Sequence, residues 1–261
     1  MTQATPDRKS HGPWLVALGA ALWGTESAWR IPLNDLFDAR VIVFWEHVLI
    51  LLMFLPLLVV RLKEIPKIDG RTWGYLSFSA FAGSAVGTVF FTLALKNGNP
   101  TVVNVILNIQ PIFSTVAGRG VMTGMSLRLA ASLRIVVGLI CMSVILLASG
   151  LMQGTTLWPG AAQMHPGRAI GALILLASIS GGIPLLIYFE GLRLTKASTA
   201  GYFEMMQTLA AVCITWGFFH AALRPHQVVA GLVLIAAVTM VQRVQERLEA
   251  RRAIAPARSD A

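Results

Sequence analysis

The sequence predicts an all-α, polytopic helical membrane protein built from two related halves, and three observations carry that prediction. Apolar residues make up 56% of the 261 positions and charged residues only 13%, and they fall in blocks of about 20, the length that crosses roughly 30 Å of hydrocarbon as a helix. Segment 89–110, VFFTLALKNGNPTVVNVILNIQ, returns 97 positions later as segment 186–207, LIYFEGLRLTKASTAGYFEMMQ, so that Leu95 falls on Leu192, Lys96 on Arg193, Thr101 on Ser198 and Gln110 on Gln207. Basic residues also crowd the turns that share one side of such a topology. Duplicated halves in a membrane chain are the layout of alternating access around a midplane cavity.

Eight spans are readable, at 13–31, 41–60, 73–95, 100–119, 129–150, 169–190, 197–220 and 226–243. The opening MTQATPDRKS is polar and no small-residue cleavage site follows the first apolar block, so that block is expected to stay as a span. In span one, Glu26 and Arg30 stand four apart with the acid first, the favourable order for a helical ion pair. The other reading of Glu26 is a carboxylate facing a cavity. Trp23, deeper in the span, is best placed to stack on an aromatic or cationic substrate, whereas Trp29 and Trp45, near outer span ends, read as interfacial belt. Span two carries Glu46 and His47, either a titrating pair or structural groups near the outer surface. In span three, Ser77, Ser84, Thr88 and Thr92 follow helical spacing, and Gly83 with Gly87 makes a GxxxG that permits close packing. Ser84 and Thr88 are kept as cavity candidates.

Span four aligns Thr101, Asn104, Asn108 and Pro111 on one helix face. Its amides can bind an amino or carboxyl group of a substrate, or serve as hydrogen-bonded glue between helices. Span five holds the intramembrane Arg134. Span six contains SISGGIP, Ser178 to Pro184, where two glycines and a proline weaken the helix beside Tyr188, as a hinge or as a static kink. Span seven presents Tyr202, Glu204, Gln207, Thr208 and Thr215. A carboxylate in hydrocarbon costs on the order of 3 kcal/mol unless paired, protonated or wet, so Glu204 marks a polar pathway or pairs with Arg193 or Lys196. After span eight, RVQERLEARRAIAPARSDA reads as a basic, helix-capable tail resting on an anionic leaflet and fraying at Pro256.

Charge sets the orientation. With the N-terminus inside, Arg8, Lys9, Arg61, Lys63, Lys67, Arg71, Arg119, Arg128, Arg193, Lys196, Arg243, Arg247, Arg251, Arg252 and Arg258 face the cytoplasm, fifteen of the twenty-one basic residues. Both termini are therefore expected to be cytoplasmic. The net charge of +9 reflects this bias and not a nucleic-acid surface. Cys141 and Cys213 lie inside apolar blocks away from metal-like or CxxC spacing, and neither a metal site nor a disulfide framework nor any other cofactor is expected. The scattered histidines form no HExxH, and no GxSxG or phosphate-binding loop is present, which argues against an enzyme or a nucleotide-driven pump.

The run ALGAALWGTESAWRIPL, followed by ALKNGNPTVVNVILNIQPIF and its second copy YFEGLRLTKASTAGYFEMMQTLAA, resembles the drug/metabolite transporter superfamily, specifically its EamA branch. The second copy carries Thr208 where the family pattern has proline. This resemblance covers most of residues 14–243 and implies an inverted-repeat fold of ten spans, of which eight are readable. LRLAASLRIVVGLICM lies 88 positions after the similar ARVIVFWEHVLILLMF, matching Arg40 to Arg128 and Glu46 to Arg134. The end of span four, all of the family's span five and the start of its span six are thus expected to be absent, with the join near Phe113 or Ser114. The gap is either a true deletion or an omitted stretch; an intact mass clearly above 28.2 kDa marks omission. The expected organisation is a shortened first repeat over 1–113, a second over 114–243 and a tail over 244–261.

What the resemblance implies is a secondary transporter exporting amino acids and related small metabolites across a bacterial inner membrane, most similar to the aromatic and neutral amino-acid exporters of the YddG type. The substrate-binding candidates are Trp23, Glu26, Ser84, Thr88, Asn104, Asn108, Tyr188, Tyr202, Glu204 and Gln207. An exporter of drugs or quaternary cations is the alternative, for which Glu26 would resemble the first-helix glutamate of small multidrug transporters. A membrane scaffold or sensor using the basic tail is the alternative of another class. The partners expected are a small-molecule substrate and the lipid bilayer, with the oligomeric state left open and a monomer compatible with it.

Overall fold

The computed structural model describes residues 11–107, 126–153, 157, 166–195 and 197–254, and among them every regular element is helical. In chain order the elements are α1 (Gly12–Gly24), α2 (Glu26–Asn34), α3 (Ala39–Val60), a 3-10 turn (Leu62–Lys67), α4 (Gly70–Ser79), a π-helical segment (Ala80–Gly87), α5 (Thr88–Asn97) and α6 (Pro100–Ile106). From residue 127 onward come α7 (Leu127–Gln153), α8 (Pro166–Ala177), a second π-helical segment (Ser178–Gly182), α9 (Ile183–Leu194), α10 (Ala197–Glu204), α11 (Met206–Gly217) and α12 (Pro225–Ile254). Each predicted span contains helix where it is described, but spans one and seven are broken and span four (100–119) is described only as far as residue 107. Four continuous helices, Ala39–Val60, Gly70–Asn97, Arg128–Gly150 and Gly167–Leu194, are long and apolar enough to cross a membrane.

Local chemistry explains the starts and breaks. The Asp38 side chain accepts from the Arg40 backbone N–H, Asp69 from Thr72, and Asn99 from Thr101 and Val102, each satisfying first-turn donors that a helix leaves open. Pro100 follows Asn99 at a position where its missing N–H costs nothing. Span one is not one helix: it breaks at Thr25, whose hydroxyl donates to Leu22 O at 2.7 Å and meets Ser180 Oγ at 2.9 Å on the second π segment. Span seven breaks likewise, between Glu204 and Met206.

The SISGGIP and GxxxG sequences, read as a kink and as a packing motif, have a common local form. Each centres on a π segment inside a longer helix, a wider turn often found at functional sites. Pro184 supplies no N–H to the turn before it. The basic tail is helical as far as it is described: α12 runs without interruption from span eight to Ile254.

Span one sits at the centre and packs closely against α9 and α11. Glycine makes this possible. A Cβ at Gly19 would stand 2.9 Å from Tyr188 Cβ, and one at Gly24 only 2.3 Å from Gln207 O. A second seam joins α3 to α7, where Gly138 lets the His47 ring approach to within 2.8 Å of its would-be Cβ. The largest apolar cluster ties Leu33, Phe37, Val41 and Ile42 to Leu146, Leu173 and Leu176, with Trp29 and Trp45 against it. Trp29 therefore packs on a core instead of standing free in a belt, and its buried Nε1 has no partner among the described residues.

Candidate functional site

The break at Thr25 and the second π segment turn α1 and α9 toward each other, and three predicted residues meet there. The Trp23 and Tyr188 rings lie 4.8 Å apart, tilted by 51°. The Tyr188 hydroxyl donates to Glu204 Oε1 from α10. Trp23, Tyr188 and Glu204 thus bring two aromatic faces and a carboxylate to one place, from three elements. None of the three is fully buried. Glu204 does not take the alternative partner Arg193, which pairs with Glu190; Lys196 lies outside the described residues. Phe189 packs edge-on against Tyr188 at 5.9 Å and lines a cavity of ≈ 360 Å³ with Arg61, Ser126, Arg128, Leu186, Glu190 and Arg193. This cavity opens on the side that charge bias assigns to the cytoplasm.

A second group is closed on itself. Arg30, with no exposed surface, donates through Nε to Glu26, through Nη2 to Glu46 Oε2 at 2.6 Å and through Nη1 to Thr92 Oγ1 at 2.9 Å. The i,i+4 pair was legible, but Glu46 as a second acid was not; the usable signal is that every charge inside a span needs a partner. The reading of Glu46 and His47 as a pair is corrected. Glu46 turns to Arg30, while His47 bonds Val43 O at 2.8 Å and Ser84 Oγ at 2.9 Å. Ser84 is therefore a helix-to-helix partner of His47. Thr88 donates to Gly83 O at 3.2 Å, across the first π segment.

The predicted polar face of span four packs inward. Asn104 donates to Ser27 Oγ at 2.8 Å, Thr208 donates to Asn104 O at 3.4 Å, and Thr101 meets Thr215 Oγ1 at 2.7 Å. These bonds tie spans one, four and seven together. Asn108, the next residue on that face, lies outside the described residues, as does the join near Phe113. Tyr202 and Gln207 are half-buried on either side of the Met205 break, and among the described residues no hydrogen bond draws Gln207 to the Trp23–Tyr188–Glu204 group. Among the described residues no group of three or more metal-type ligands comes together.

The model of the EamA-like transporter family matches this chain twice, over residues 11–123 and 113–243. No curated protein and no solved structure matches it significantly.

Proposed function

Because the chain belongs to the EamA-like transporter family, and so is a multi-pass membrane transporter of small molecules, we propose that it exports aromatic and neutral amino acids by alternating access. The observation that carries this reading is the meeting of Trp23, Tyr188 and Glu204. An ammonium group suits the carboxylate, and an apolar or aromatic side chain suits the two rings. The glycine-lined seams of span one and the two π segments supply elements able to shift against one another. The proposed setting is a bacterial inner membrane with both termini cytoplasmic, which the distribution of basic residues supports.

The same acid and rings also suit a quaternary cation, so an exporter of drug cations is the second reading. Proteoliposomes preloaded with unlabelled amino acids or with methyl viologen, then given labelled phenylalanine or threonine, separate the two. Accumulation driven by amino acids is the expected result. Accumulation driven only by methyl viologen would replace the amino-acid reading with the cation reading. Transport left intact by both Glu26→Gln and Glu204→Gln would remove the basis of the cation reading.

A further inference from the structure

Arg134, on α7, differs from the other cation inside the bundle. Arg30 holds two acids and a hydroxyl. Arg134 has no ion pair and no hydrogen bond among the described residues, and its Nε is sealed from solvent without an acceptor. Three other acids are taken: Glu64 by Arg61, Glu190 by Arg193 and Arg128, and Glu204 by Tyr188. Segment 108–125, NIQPIFSTVAGRGVMTGM, contains no Asp or Glu to offer. An uncompensated cation in a low-dielectric interior is costly and marks an ion or substrate path.

Two features give that cation access. Gly83, exposed on the first π segment, would carry a Cβ 3.2 Å from Arg134 Nη2, so the glycine leaves the guanidinium uncovered. Arg134 also belongs to the stretch of α7 that packs beside Tyr188: Ala131 and Ile135 share an apolar cluster with Leu185, Leu186 and Phe189 of α9, and the Tyr188 hydroxyl binds Glu204 of α10.

We propose that Arg134 is the carboxylate subsite of the transported molecule, its planar fork taking both oxygens while Glu204 faces the ammonium group and Trp23 with Tyr188 holds the side chain. This deepens the amino-acid reading of the same site and rests on it. It makes the site bipolar, and so selects zwitterions over amines of similar shape.

The test is ligand-induced thermal stabilisation of the full chain in detergent, with phenylalanine, phenylalaninamide and 3-phenylpropionate as probes. The wild type should bind phenylalanine more tightly than the amide. Arg134→Gln should weaken phenylalanine by ~30-fold or more, the usual loss when one member of a desolvated charge pair is removed, and leave the amide unchanged. Gly83→Leu, which keeps the charge but covers it, should do the same, so the result does not depend on one variant. Equal weakening of all probes, no weakening, or wild-type affinities equal for phenylalanine and its amide would overturn the subsite. Binding of 3-phenylpropionate but not phenylalanine, lost in Arg134→Gln, would keep the subsite and overturn the amino-acid reading. A wild type that binds no probe overturns both.

Discussion

Arg30 and Arg134 give opposite expectations for the same substitution. Arg30→Gln would strand two acids in the interior, a loss of about 3–5 kcal/mol that should appear as a large fall in thermal midpoint in detergent. Arg134→Gln removes an unpaired charge and should leave that midpoint unchanged or higher. Outside the spans, Asp38 offers a pH expectation. Its carboxyl is held below the usual range, first by the Arg40 side chain that bonds it. A carboxyl depressed in this way contributes stability above its unfolded value of about 3.9 and loses it as pH falls through the lower folded value. Asp38→Asn should therefore flatten only the acid limb of the stability profile, below about pH 4.

How much was legible also differs residue by residue. The Glu26–Arg30 pair and the inward face of Thr101 and Asn104 follow from helical spacing, which sequence displays directly. Glu46 joining Arg30, Asn104 finding Ser27, and Tyr188 finding Glu204 are contacts between different elements, which spacing within one helix cannot encode. Even so, the rule that intramembrane polar groups must be satisfied had already singled out most of these residues.

Among the elements, the two α–π–α helices are the ones whose local form sequence did not reveal. An offset of 97 carries Ala80–Gly87 onto a window that contains Ser178–Gly182, so the repeat preserves a wide turn at equivalent depth. Glycine and proline signalled a weak point, but i→i+5 bonding has no sequence signature of its own. Deleting Ala82 should convert the first wide turn to an α turn, which leaves the flanking helices in register but re-aims the residues inside the turn. We expect the protein to insert but lose transport, because Ser84 leaves His47; transport unchanged by the deletion would show that the wide turn has no role. Gly24→Ala tests the span-one seam. With its new Cβ 2.3 Å from Gln207 O, overpacking should cost about 1–3 kcal/mol, read as a lower thermal midpoint.

At the scale of the whole molecule, the helical membrane architecture and the duplication were open to sequence reading because hydropathy and self-similarity are one-dimensional signals. The breaks at Thr25 and Met205 were not, since each falls inside a stretch long enough to read as one span and neither carries a proline at the break. The two family matches, over residues 11–123 and 113–243, follow the duplication read from the sequence. The central claim is that this chain, as it stands at 261 residues, carries amino acids across a bilayer. Counterflow of labelled phenylalanine into proteoliposomes preloaded with unlabelled phenylalanine tests it most directly. The account predicts transient accumulation above equilibrium that is lost in Glu204→Gln; uptake no different from protein-free liposomes, with the protein correctly inserted, would contradict it.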